Sequence, residues 1–152
     1  MDFREQVEAL LADFARETGR ELVPDEAGGV SFVMDNTVFN LVLLPKSEQL
    51  LLWTWVGDLG RDGNAPRRAR RLLELNDGFE GSHGGTFMVD PEREIVMLAD
   101  RRGLATVGDP DRFAAWIDAL HTAADAAWAE LEYDFPFVDD EPLEASEPLV
   151  RE

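Results

Sequence analysis

Hydrophobic residues recur at helical spacing near both ends of the chain and at strand spacing in the middle. Asp2 and Glu5 hold the positions of a capping box and Gly19 that of a C-terminal stop. Between them, one helical face collects the apolar residues Phe3, Val7, Leu10, Leu11 and Phe14. The pattern therefore predicts an amphipathic first helix.

From Gly29 onward the pattern changes to three β-rich runs: VSFVM, TVFNLVLL and QLLLWTWV. Asp35-Asn36 suits a two-residue hairpin turn, which pairs Val33 with Val38. A second turn at PKSE is expected to pair Leu44 with Leu50. The two registers together predict one core face, made of Val30, Phe32, Met34, Phe39, Leu41, Leu43, Leu51, Trp53 and Trp55.

The opposite face of these strands is apolar around a polar stripe of Ser31, Asn40 and Thr54. A face open only to water should alternate to charged residues, so this one is expected to be covered. We take it as a candidate partner face, made of Val33, Val38, Asn40, Val42, Leu44, Leu50, Leu52 and Thr54. The alternative is burial of this face by a helix of the chain or at a dimer contact.

A second helix is predicted from Pro66, with Ala69, Leu72 and Leu73 on one stripe. Its remaining surface holds an arginine cluster, Arg67, Arg68, Arg70 and Arg71, for which a solvated helix face and a contact with an acidic partner surface are both open. After a glycine-rich break, TFMVD and REIVMLAD predict two strands joined at Pro91-Glu92. A last helix begins at Asp109-Pro110, and its apolar stripe is Phe113, Trp116, Ile117, Leu120, Ala124, Ala127, Trp128 and Leu131.

These elements predict a single α+β domain over residues 1–131, in the order helix, three strands, helix, two strands, helix, with an antiparallel sheet packed by the helices. Residues 132–152 are rich in acids and proline and are expected to form a disordered tail. One hypothesis is that Phe135-Pro136-Phe137-Val138 docks on the empty partner face.

The formal net charge of −18 argues against nucleic acid and anionic membranes as partners. No apolar run is long enough for a membrane span, and the N-terminus lacks signal-peptide features, so we expect a cytoplasmic protein. Without cysteine there is no thiolate nucleophile or thiolate metal site.

Candidates for catalysis are sparse. His83 and His121 have no evident partners, and Gly81–Gly85 matches neither a phosphate loop nor a nucleophile elbow, so it is interpreted as a flexible connector. Asp139-Asp140-Glu141 lacks the spacing of a calcium loop. We therefore expect no catalytic residues, no metal site, no cofactor and no enzyme activity.

The order of the motifs resembles the class I chaperones of bacterial type III secretion, the Tir chaperone/CesT-like family. The residues that carry this resemblance are Val56–Gly60 as the "LG-L" turn, Leu72–Asn76 at the end of the second helix, Gly84–Asp90, the strand Ile95–Leu98, and Trp128 in the final helix. The resemblance covers about residues 2–131.

The resemblance implies a homodimer formed through the second helix, with Arg68, Ala69, Leu72, Leu73 and Asn76 at the contact. It also implies a chaperone that uses no ATP and binds the N-terminal segment of a secreted effector in extended form. The alternative is a regulatory or adaptor module of the same fold, similar to YbjN-like proteins. In either case the partner is a protein.

Overall fold

The computed structural model describes residues 1–26 and 28–133. The elements follow the predicted order, with a short added strand and a short added helix. The helices are α1 Phe3–Thr18, α2 Ala65–Asn76, α3 Leu104–Val107 and α4 Pro110–Tyr133. The strands are β1 Val23–Pro24, β2 Val30–Met34, β3 Thr37–Leu44, β4 Gln49–Asp58, β5 Thr86–Asp90 and β6 Ile95–Gly103. The predicted tail and its Phe135–Val138 segment lie outside the described residues, apart from the end of α4.

Helix ends form where the sequence predicts them. The Asp2 carboxylate accepts the Glu5 backbone N–H while the Glu5 side chain accepts that of Asp2, which completes the capping box. Gly19 ends α1 in the left-handed conformation. At α4, the Asp109 carboxylate accepts the backbone N–H groups of Asp111 and Arg112. Local chemistry therefore sets these boundaries.

All six strands form one antiparallel sheet in the order β1-β2-β3-β4-β6-β5. Asp35 and Asn36 both have positive φ, as a type I′ turn requires, and the predicted pairing of Val33 with Val38 is confirmed. The predicted α+β architecture, with an antiparallel sheet packed by helices, is also confirmed.

The second hairpin differs from its predicted register by one residue. Leu44 pairs with Gln49 instead of Leu50, because Pro45–Ser47 forms a 3₁₀ turn that Glu48 closes in the left-handed conformation. A one-residue slip moves every side chain of β4 to the other face. Leu50, Leu52 and Thr54 are consequently fully buried, whereas the residues predicted for the core, Leu51, Trp53 and Trp55, lie on the opposite face.

Aromatic rings connect the sheet to α1 and α4. The ring of Phe14 in α1 lies 5.4 Å from that of Phe32 in β2 and 5.2 Å from that of Phe113 in α4, both edge to face. Phe32 in turn stacks on Phe39 of β3 at 5.6 Å. The core therefore fills one side of the sheet, where α1 and α4 pack.

One residue of the predicted α4 stripe does not join this core. Phe113, Trp116, Ile117 and Leu120 are buried as expected, but Trp128 is 50 % exposed. The prediction that Trp128 packs in the core is therefore wrong. Within residues 1–26 and 28–133, no helix combines the length and apolar character needed to cross a bilayer.

Candidate partner-binding face

The face of the sheet opposite α1 and α4 is the candidate site, and strand pairing determines which residues share it. One row across the strands is Ser31, Asn40, Trp53, Ala99 and Thr86. Because side chains alternate along each strand, the same side also carries Val33, Val38, Val42, Leu44, Leu51, Trp55, Met88, Met97 and the exposed Arg101. We call this set the open face.

The open face is mainly apolar, and several of its side chains are well exposed. Val33 is 52 % exposed, Val38 45 % and Met88 40 %. Trp53 and Trp55 are half-buried and meet edge to face, with ring centroids 5.1 Å apart. A contiguous exposed apolar surface of this kind is typical of protein-binding sites.

The predicted partner residues separate into two groups. Val33, Val38, Asn40, Val42 and Leu44 lie on the open face, as predicted. Leu50, Leu52 and Thr54 were predicted beside them but point into the core, where their exposure is 0 %. The register shift replaces these three with Leu51, Trp53 and Trp55, so the predicted core position of the two tryptophans is wrong.

Polar groups divide between the two sides of the sheet. On the open face, the Ser31 hydroxyl donates a hydrogen bond to the Asn40 amide oxygen at 3.0 Å. On the core side, the Thr54 hydroxyl donates to the Val38 carbonyl at 2.7 Å, so a buried polar residue is satisfied internally. Only Ser31 and Asn40 of the predicted polar stripe are therefore available to a partner.

The turn between β5 and β6 places a cation beside the open face. The Arg93 guanidinium lies 5.8 Å from the centre of the Trp55 ring, which is cation–π geometry. The Asp90 carboxylate accepts the backbone N–H groups of Glu92 and Arg93, and these hydrogen bonds lower the pKa of Asp90. These hydrogen bonds hold the turn in the conformation that places Arg93 over the Trp55 indole.

The arginine cluster of α2 makes ion pairs within the chain. Arg68 donates two hydrogen bonds to the Asp62 carboxylate and a third to the Leu59 carbonyl. Arg71 pairs with Glu130 of α4 at 2.7 Å, and this hydrogen-bonded pair raises the pKa of Arg71. Arg70 approaches Glu74 at 3.4 Å. Most of this positive charge therefore binds the chain's own carboxylates.

The predicted dimer residues on α2 differ in how much surface they offer. Leu73 is 70 % exposed. Leu72 is only 4 % exposed and lies in the protomer's own core, so it leaves almost no surface for a second subunit. Asn76 hydrogen-bonds the backbone of Phe87, and Arg68 is bound as described above. Leu73 is thus the predicted contact residue with the largest free apolar surface.

The remaining candidates for chemistry stay dispersed. His83 is exposed in a loop, and His121 lies on α4 with its Nε2 atom 3.7 Å from the Asp125 carboxylate. The described part of the chain brings together no group of three His, Cys, Asp or Glu side chains suited to a metal ion.

Part of the glycine-rich segment Gly81–Gly85, which is predicted to be a flexible connector, packs closely against the rest of the chain. Ser82 is fully buried, and a Cβ atom on Gly81 would lie 2.6 Å from the Leu75 side chain. The start of the segment is therefore closely packed against the end of α2, while His83 and Gly84 are exposed.

An α+β domain with an apolar sheet face and helices on the other side matches a known class of protein-binding chaperones. The model of the Tir chaperone protein (CesT) family matches residues 9–127, and the chain belongs to this family. The resemblance noted in the sequence is thereby confirmed. No curated protein matches the chain in sequence.

Solved structures are also similar to this chain. The chain is similar to a chain of the ExsC–ExsE complex, with a TM-score of 0.73 and 28 % identity, covering 86 % of this chain and 97 % of that one. It shares its fold with a chain of the HopA1–SchA chaperone–effector complex, with a TM-score of 0.66, 17 % identity, and coverage of 83 % and 95 %. It also shares it with a chain from the complex of the Yersinia pestis type III secretion chaperone SycH with a fragment of YscM2, with a TM-score of 0.61, 19 % identity, and coverage of 78 % and 97 %.

Proposed function

We propose that this protein is a cytoplasmic chaperone of type III secretion that binds the N-terminal segment of a secreted effector in extended form. It keeps this segment soluble and secretion-competent, uses no ATP, and acts as a homodimer. The observation that carries the proposal is the apolar open face on a member of a chaperone family. Similar structures were solved as complexes with protein partners, which supports a protein as the ligand.

The proposed binding surface is the open face, which includes Val33, Val38, Asn40, Val42 and Leu44 from the sequence analysis together with Leu51, Trp53 and Trp55. An extended partner places alternate side chains toward the sheet, where valine, leucine and tryptophan bury them. The Ser31–Asn40 pair adds hydrogen-bonding groups that favour a particular register of the partner. Ordering a flexible partner costs conformational entropy, so a wide surface is needed.

The charge of the chain supports the same function. An exposed apolar face promotes self-association, and a net charge of −18 opposes it by mutual repulsion. The empty chaperone is therefore expected to stay dispersed until a partner covers the face.

The proposal is tested by co-expressing the full chain with its neighbouring open reading frames and measuring which product co-purifies. Val42→Asp places a charge on the open face and should abolish capture while the circular dichroism spectrum stays native. Ala126→Asp adds the same charge on an exposed position of α4 and should leave capture unchanged. Capture that survives Val42→Asp would exclude the open face as the binding surface.

The proposed homodimer is tested by the mass of the purified protein in solution. Leu73→Asp should yield monomers, because it places a charge on the most exposed apolar residue of α2. Arg67→Gln, on an exposed position of the same helix, lowers the net charge by the same single unit and is the matched control. A wild-type protein that is monomeric and captures no neighbour would favour the regulatory adaptor instead.

A further inference from the structure

A groove of about 690 Å³ runs around one end of the sheet, between the β2–β3 turn and the C-terminal half of α4. Both the open face and the helix side contribute to its walls. Its main lining residues are Asp35, Val38, Trp55, Val56, Asp125 and Trp128. Since Val38 and Trp55 also belong to the open face, the groove is a continuation of that surface.

Trp128 gives the groove an exposed aromatic wall. It is 50 % exposed, and no cation or second ring contacts it among the residues that the structure describes. Gly57 lies beneath it on β4, where a Cβ atom would come within 3.1 Å of the Trp128 ring. Because Gly57 has no side chain, the Trp128 indole packs directly on β4, and the rest of the indole is exposed.

The charged residues that line the groove beside this indole are carboxylates, while Arg93 lies next to the groove, over Trp55. Asp35 is exposed, and the Asp125 side chain is 66 % exposed. The described lining residues include neither lysine nor arginine, and the basic group beside Asp125 is the His121 imidazole at 3.7 Å. An apolar wall flanked by carboxylates complements a ligand that has an apolar stem and a positive end.

We infer that this groove is a subsite for an arginine or lysine side chain of the bound partner segment. The aliphatic stem packs on Trp128 and Val56, and the cationic group lies near Asp35 and Asp125. The Trp55 ring already makes a cation–π contact with Arg93 of the chain's own β5–β6 turn, so one wall of the groove binds a cation within the protein itself. The inference rests on the proposed function, since the partner segment must cross the open face to enter the groove.

The inference is tested on the full chain with short synthetic peptides of alternating apolar and polar residues. The peptides differ only at one central position, which holds Arg, Lys, Leu or Glu. A further Leu peptide carries its Arg at the end, so that it matches the net charge of the Arg peptide. Binding is followed through the indole N–H resonance of Trp128 in two-dimensional NMR spectra.

The Arg and Lys peptides should shift the Trp128 resonance and bind about five-fold more tightly than either Leu peptide, which corresponds to a modest cation–π and charge contribution. Asp125→Asn should remove this preference. Asp118→Asn changes the same charge two turns earlier on α4, outside the groove, and should preserve it.

Three results would overturn the inference. The first is equal affinity for the central Leu and central Arg peptides, and the second is a preference that survives Asp125→Asn. The third is a Trp128 resonance that no peptide shifts, as would occur if residues 134–152 filled the groove. None of these results depends on capture of an effector. If effector capture is normal while the peptides show no preference, the subsite is wrong and the proposed function stands. If the preference is found while no neighbour is captured, the groove binds cations but the proposed function fails.

Discussion

The side chain of Asn76, at the end of α2, bonds both backbone groups of Phe87 in the edge strand β5. Its amide oxygen accepts the Phe87 N–H at 2.8 Å, and its amide nitrogen donates to the Phe87 carbonyl at 3.3 Å. A neighbouring strand would satisfy the same two groups. Asn76 therefore occupies the edge-facing backbone groups of Phe87, so another strand cannot pair with β5 at this residue.

Asn76→Ala should destabilise the fold by about 1–3 kcal/mol, because it leaves the Phe87 amide and carbonyl unpaired. Hydrogen exchange at the Phe87 amide should accelerate more than exchange in the centre of β6. The control is Asp77→Ala, the neighbouring exposed residue, which should change neither quantity appreciably. Unchanged protection of the Phe87 amide in Asn76→Ala would show that the side chain does not close the edge.

The register of β4 predicts a contrast between neighbouring leucines. Leu52→Ala removes a fully buried side chain and should lower the free energy of unfolding by about 2–5 kcal/mol. Leu51→Ala, on the half-buried open face, should cost less than about half of that. Chemical denaturation of the two variants measures the difference. A larger loss for Leu51→Ala would support the register predicted from sequence.

The two hairpins show why one register was predictable and the other was not. Asp35-Asn36 is a two-residue turn, and its length determines which residues pair across β2 and β3. The PKSE turn permits more than one closure, and β4 is apolar on both faces, so hydrophobic alternation gave no correction. The register predicted from sequence places Trp53 opposite Leu41 and Trp55 opposite Phe39, which is why both tryptophans are predicted in the core.

Contacts between distant segments account for the other differences. The ion pair of Arg71 with Glu130 joins two helices that are far apart in sequence, so local patterning does not reveal it. Trp128 has the spacing of a core residue, but its exposure depends on where α4 passes the end of the sheet. Helix caps and the order of helices and strands along the chain were predictable because local residue chemistry determines them.

Asp62 and Arg68 provide a prediction that depends on pH. The hydrogen bonds that Arg68 donates lower the pKa of the Asp62 carboxyl, so the charged form is favoured in the fold. The resulting stabilisation is complete well above the unfolded pKa of about 4 and is lost as the pH falls toward the lower folded value. Asp62→Asn should therefore be less stable than wild type at neutral pH, and the gap should narrow below about pH 4.

Thermal unfolding of the wild type and Asp62→Asn across this pH range measures the gap. Asp77→Asn is the control, since it also removes one exposed carboxylate. The stability difference between this variant and the wild type should not show the same narrowing at low pH. A gap between wild type and Asp62→Asn that stays constant with pH would contradict the assigned role of the Arg68 hydrogen bonds.

The glycine-rich segment gives a steric prediction. Gly81→Ala would place its Cβ 2.6 Å from the end of the Leu75 side chain and 3.0 Å from the Leu75 carbonyl oxygen, so the side chain must move and the backbone must give by a few tenths of an ångström. The expected cost is about 1–3 kcal/mol in unfolding free energy. Gly103→Ala meets no atom within 4 Å and should be tolerated much better. If the two variants had equal free energies of unfolding, the glycine-rich segment would accommodate the added methyl group without a steric cost.

The position of β6 between β4 and β5 determines the order in which the sheet can assemble. The β2–β3–β4 meander needs only short-range contacts, which form rapidly. β4 meets β6 only after the chain has passed through α2 and β5, so this pairing must close a much longer loop. Because β5 joins the sheet only through β6, the β5–β6 hairpin docks as a unit. We therefore expect the docking of this hairpin to be the slow step in folding, and until it occurs the edge of β4 stays unpaired.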